Sequence, residues 1–159
     1  MEVQLLNMTT EQIKVDQSVE DFSDELQLAI RLTPSQNILE LCTNLMLELQ
    51  AKLEQRFKAL MYMYQDGEML LDIWVEFIEI QLSLMRKMLI VLDTVANLFH
   101  VAGDLPKFVI TIGSIQALGS FVESVEQSVF ATQNEVGKGL TVKLIPLENQ
   151  QPPIGFIQL

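Results

Sequence analysis

From Gly67 to Gly103 the chain runs without an internal glycine or proline, and its polar residues there fall mostly on one narrow stripe. Asp72, Glu76, Glu79, Ser83, Arg86, Asp93, Asn97 and His100 recur at three- and four-residue steps, broken only by Ile90. That is the period of an α-helix. On the opposite side Phe77, Leu84, Met88, Val91, Val95 and Leu98 form an apolar seam. A helix wet on so little of its circumference must be covered on most of the rest. One neighbouring helix is too narrow for that, whereas two or three neighbours, or a second subunit, suffice.

The segment before it has the same character. Ile38, Cys42, Leu45, Leu49, Leu53, Phe57, Leu60 and Tyr64 make a continuous seam, with Glu48–Lys52 and Glu54–Lys58 as outward i,i+4 pairs. Thr33-Pro34-Ser35-Gln36 reads as its start, Thr33 capping, Pro34 in the first turn and Gln36 completing a capping box. Asp66-Gly67 separates the two segments, and so short a joint favours an antiparallel helical hairpin over one continuous bent helix.

The remaining segments are shorter or more mixed. Val19, Phe22, Leu26 and Ala29 predict a short amphipathic helix over 18–32. Val109, Ile112, Leu118, Phe121, Val122, Val125 and Val129 predict a helix over 106–131, although Phe108-Val-Ile-Thr-Ile112 is strand-like by propensity. Residues 1–17 alternate weakly and read as an arm or short strands. Residues 137–159, with Gly137, Gly139, Pro146, Pro152 and Pro153, read as extended. The expected fold is therefore mainly α: one domain, 1–159, with long helices at 34–65 and 67–102 forming a hairpin within a bundle, and short strands or arms at both termini.

Composition narrows the function classes. Apolar residues reach 49% and charged residues only 19%, against about 25% charged in an ordinary soluble domain. The excess asks for a large core, an oligomer interface or a bound partner. A net charge of −11 repels phosphate backbones, so nucleic acid is not an expected partner, and anionic lipid is not a default one. A single cysteine, no basic-then-apolar leader pattern at the N-terminus and no long uncharged run lead to the expectation of a cytoplasmic protein.

The residues that carry chemistry elsewhere have simpler readings here. His100, the one histidine, lacks the spaced partners of a metal ligand and suits a helix C-terminus. Asp72, Glu76 and Glu79 share a face that pairs of catalytic carboxylates use, but it is the face left for solvent. Cys42 lies in an apolar seam with no base nearby in sequence. Gly113, Ala117, Gly119 and Ser120 give one side of their helix a small profile suited to close packing. No cofactor, metal or enzymatic activity is expected.

What remains is association. The sequence predicts a non-enzymatic interaction or assembly protein: a scaffold, an adaptor or a structural subunit joined by bundle or coiled-coil contacts, as a homo-oligomer or with a protein partner. Its expected partner-binding residues are the seam Phe77, Leu84, Met88, Val91, Val95 and Leu98, and the apolar tip Ile154, Phe156, Ile157 and Leu159. That tip has two readings, docking on its own core or exchange between subunits. The alternative function is a membrane-active or exported helical protein of pore-forming or translocator type, motivated by the charge-free run Phe108–Val122. A small-ligand carrier with an apolar pocket comes third.

Overall fold

The computed structural model describes residues 10–63, 68–136 and 141–143, and the side-chain surroundings of residues 16–59 and 73–131. The chain forms α1 (Thr10–Leu32), a 3-10 turn (Ser35–Asn37), α2 (Ile38–Met63), β1 (Glu68–Leu70), α3 (Leu71–Ala102), α4 (Leu105–Val136) and β2 (Thr141–Lys143). It is mainly helical, and the helices pack as a bundle. The hub is α3: α1, α2 and α4 each pack chiefly on it rather than on one another.

This arrangement follows from the surface of α3. Val75, Phe77, Ile78, Leu82, Leu84, Met85, Met88, Val91, Leu92, Val95 and Phe99 are all buried, and they spread over rather more than half of the circumference of the helix. Each neighbour contributes one seam to cover them. Cys42, Met46, Leu49 and Leu53 come from α2, Leu118, Val122 and Val129 from α4, and Leu26 from α1. Arg56 of α2 lies over the ring of Phe77, 4.2 Å from its centroid, while Ile38 and Leu39 sit beside Leu98. The two long helices therefore run antiparallel.

The turns between helices are set by local chemistry. At the end of α3, Gly103 adopts φ +73°, a conformation disfavoured for residues with a Cβ. Its amide donates to the His100 carbonyl (3.2 Å) and the Asp104 amide to the Phe99 carbonyl (3.0 Å), a Schellman closure. Asp104 then begins α4 by accepting the Lys107 amide on its carboxylate (3.3 Å). The strand-like Phe108–Ile112 run is helical, because Phe108, Thr111, Ile115 and Leu118 fall on one face toward the core. Thr111, buried there, donates its hydroxyl to the Lys107 carbonyl (2.8 Å) and so brings no unpaired polar group inside.

Several expectations need correction. The N-terminal arm or strands expected over 1–17 are not supported: α1 already begins at Thr10. Short strands at both termini are not supported either; among the described residues a three-residue ladder sets β1, which precedes α3, antiparallel to β2, with Met69 opposite Val142. Residues 1–9 and 144–159 lie outside the described residues. Thr33 does not cap α2. Its hydroxyl donates back to the Ala29 carbonyl (2.6 Å) at the end of α1, and α2 is preceded by the 3-10 turn. Finally, the polar stripe of α3 is not uniformly wet. Glu76, Asp93, Asn97 and His100 are exposed, but Glu79 and Ser83 are buried.

Candidate functional site

The covered middle of the stripe is an ion-pair clamp. Arg86 projects from α3 between two neighbours, donating Nη1 to Asp16 of α1 (3.0 Å) and Nη2 to Glu126 of α4 (2.7 Å). Burial alone would lower the pKa of this guanidinium. The hydrogen bond and charge of Glu126, with Asp16 and Glu79 adding theirs, more than offset that and hold it above the ordinary arginine value. The clamp ties the first and last helices to the hub. Its role is structural, and every charge in it has a partner.

A cleft of about 850 Å³ opens between α1 and α2, because those two helices barely touch. Phe22, Leu45, Leu49 and Leu84 form its apolar walls, and Lys52, Lys87, Asp21, Glu25 and Glu48 its polar rim. Lys87 donates from Nζ to the Ser18 hydroxyl at 2.8 Å. Burial, then the neighbouring Lys52 charge, lowers its pKa, and Glu25 offsets part of this. A serine bonded to a lysine with a lowered pKa has the outline of a nucleophile–base pair. Ser18, however, sits inside α1, where backbone amides are committed to helix hydrogen bonds, so this segment offers no oxyanion donors. The pair positions α1 on α3.

At the opposite end of α1 lies a second, more apolar groove of about 610 Å³. Here α1 and α3 end and α2 and α4 begin. Ile30, Ile38, Leu39, Leu98 and Val101 line the groove, and Asp104 and Lys107 stand at its edge. At the same helix ends the chain leaves large aliphatic side chains in solvent: Val101, which lines the groove, is 86% exposed, Leu32 77% and Leu105 64%. Leu28, Val109 and Ile110 are exposed as well. Six of the nine large exposed apolar residues among the described ones thus gather at this pole. Single exposed leucines are ordinary, whereas a cluster near a groove makes this end a candidate contact surface.

Comparison with protein-family models, with curated proteins and with solved structures found no match.

The chemistry-bearing residues read from the sequence are not brought together. Cys42 is fully buried, and burial pushes its thiol up. His100 is exposed, its ring 5.2 Å from that of Phe108. Among the described residues no group of His, Cys, Asp and Glu is arranged to hold a metal ion. Of the expected partner-binding residues, Phe77, Leu84, Met88, Val91 and Val95 are buried within the chain's own core, and Leu98 is half-buried in the polar-edged groove. Ile154, Phe156, Ile157 and Leu159 lie outside the described residues. Reasoning from sequence missed the pole altogether. Its signal was weak but present: Leu28 and Leu32 stand off the Val19–Phe22–Leu26–Ala29 seam, and Val101 follows the last polar residue of the stripe.

Proposed function

We propose that this chain is a non-enzymatic helical assembly protein that associates through the apolar pole where α1 and α3 end and α2 and α4 begin. The observation that carries this reading is the concentration of exposed Leu28, Leu32, Val101, Leu105, Val109 and Ile110 at or near the helix ends that meet there. The core seam of α3 then serves folding, and the pole serves association. Absolute mass by size-exclusion chromatography with light scattering tests it. A species heavier than one 18.1 kDa chain, reduced to a single chain by Val101→Lys, is the expected result. A wild-type chain that stays at one-chain mass throughout a dilution series would remove self-assembly.

A second reading, a membrane-active helical protein, is favoured by one specific observation. Within α4 the segment Leu105–Ala131, 27 residues, is long and apolar enough to cross a bilayer, with a window of mean hydropathy 1.5 of which only 17% is buried. A core helix of equal hydropathy would be mostly covered. Flotation with phosphatidylcholine vesicles separates the readings: association with vesicles by a chain that is otherwise monomeric favours the membrane.

A further inference from the structure

We infer that the Lys87 amine is a covalent capture site for carbonyl compounds, holding an aldehyde or ketone with an apolar tail as an imine in the cleft between α1 and α2. This site stands apart from the association proposed for the pole and uses none of the pole's residues. Three features support it: the partner that Lys87 has, the charge that faces it, and the walls around it.

The partner is neutral. Lys52 is tied to Glu48 at 3.2 Å and Lys107 lies 3.9 Å from Asp104, so a carboxylate favours the ammonium form of each. No such ion pair joins Lys87 to a carboxylate among the described residues. Its half-buried Nζ instead meets the Ser18 hydroxyl at 2.8 Å. A hydroxyl accepts from an ammonium and donates equally well to a free amine, so Ser18 does not lock the proton in place. The Phe22 ring centroid is 5.9 Å from Nζ, at the outer reach of a cation–π contact, and holds the charge only weakly. The nearest opposing charge has the wrong sign to help. Burial, then the like charge of Lys52, lowers the pKa of Lys87, and Glu25 offsets part of this. A lysine desolvated beside a second cation is the setting in which this side chain acts as a nucleophile near neutral pH.

The walls select the electrophile. The cleft of about 850 Å³ has room for a small organic molecule, and Phe22, Leu45, Leu49 and Leu84 offer its tail an apolar surface. A carbonyl carbon suits a lone amine because its capture needs no oxyanion donors, which α1 does not supply at Ser18. The nitrogen lone pair attacks that carbon, and the C=O π pair moves to oxygen, which takes up the proton that nitrogen sheds. The carbinolamine then loses this oxygen as water and nitrogen its second proton. Amine plus carbonyl gives imine plus water, with nothing oxidised or reduced.

The test uses the full chain near neutral pH with hexanal or, in a parallel sample, acetaldehyde. Cyanoborohydride reduces any imine to a stable secondary amine, and peptide mass spectrometry locates it. Hexanal should label Lys87 several-fold faster than Lys52, Lys58 and Lys107, although those three are more exposed. Acetaldehyde, with no tail to bury, should show a smaller lead. Lys52→Met removes the facing charge and should slow labelling at Lys87. Lys58→Met, exposed on α2 and outside the cleft lining, should leave it unchanged, and circular dichroism checks that both variants keep their helix content. Labelling that follows exposure, with Lys52, Lys58 and Lys107 ahead of Lys87, would overturn the inference. So would a Lys87 rate that Lys52→Met leaves untouched.

Discussion

Replacing Arg86 with methionine should loosen α1 before it loosens anything else. The guanidinium makes two charge-assisted hydrogen bonds, to Asp16 on α1 and to Glu126 on α4. Such bonds are worth about 1.5–3 kcal/mol each when buried. Here the arginine side chain is 29% exposed and its partners 50% and 42%, so water replaces much of what the variant removes. After that discount, and because methionine keeps the apolar stem packed, a loss of about 1.5 kcal/mol is expected. For a chain of this length that lowers Tm by roughly 3–6 °C. The loss should not be shared evenly. Among described residues α1 places only Leu26 fully in the core, with Phe22 and Ile30 partly packed, whereas α2 contributes Cys42, Met46, Leu49 and Leu53. Hydrogen exchange by mass spectrometry should therefore show α1 amides losing protection while α2 amides keep theirs. Equal loss across all helices, or an unchanged α1, would refute the clamp as the device that holds the first helix.

Three further outcomes follow from individual positions. Leu53→Ala, at a residue with no exposed surface, should cost about 3–4 kcal/mol in denaturant unfolding, while Leu47→Ala, more than half exposed on the same helix, should stay within about 0.5 kcal/mol of wild type. Gly103→Ala should cost about 1 kcal/mol from its positive φ alone, since nothing lies within 4 Å of where a Cβ would stand; a neutral result in thermal melts would count against the Schellman closure. Lys87→Met should fare best relative to wild type near neutral pH, where removal of the burial penalty offsets the lost hydrogen bond to Ser18. Because the folded lysine has a lowered pKa, folding is penalised wherever the unfolded lysine is protonated and the penalty fades as pH rises toward the unfolded value, so the Tm of the variant should lose ground to wild type in alkaline buffer; a variant that gains ground there would contradict the burial argument.

The parts of this fold that were legible in the sequence are those written within one element. Residues 67–102 carry a helical stripe long enough to be unmistakable, and α3 spans Leu71–Ala102. Its stop was legible as well, because Gly103 is the one residue there free to take a positive φ. The start of α1 was not legible. Ile13 and Val15 alternate with polar neighbours over too few residues to separate a period of 2 from one of 3.6. Thr33 could serve the helix behind it or the one ahead, and only the chain's path through the turn decides. The wet face of α3 was half legible. Residue types mark a polar stripe, but whether it meets water depends on Asp16 and Glu126, 70 and 40 residues from Arg86. A pairing between elements leaves no periodic trace.

The candidate site was hidden for a related reason: a leucine looks the same in sequence whether it faces a core or a solvent. Comparison of two helices on the same hub shows why its exposure carries meaning. Over most of its described length α1 turns acids such as Asp16, Glu20, Asp21, Asp24 and Glu25, all exposed, away from the seam that covers its neighbour. The first half of α4 covers the same hub through Thr111, Leu118 and Val122, yet its outer face bears Leu105, Val109, Ile110, Gly113 and Ala117, and between Leu105 and Val122 its sole charge is Lys107. Demand for core cannot account for apolar residues that the core leaves out. The coat around α3 absorbs much of the 49% apolar composition, and the surplus is concentrated on the outer face of α4 and the pole beside it. The association proposed for the pole draws on this surplus, at the end of the bundle where an acidic chain carries little of its charge.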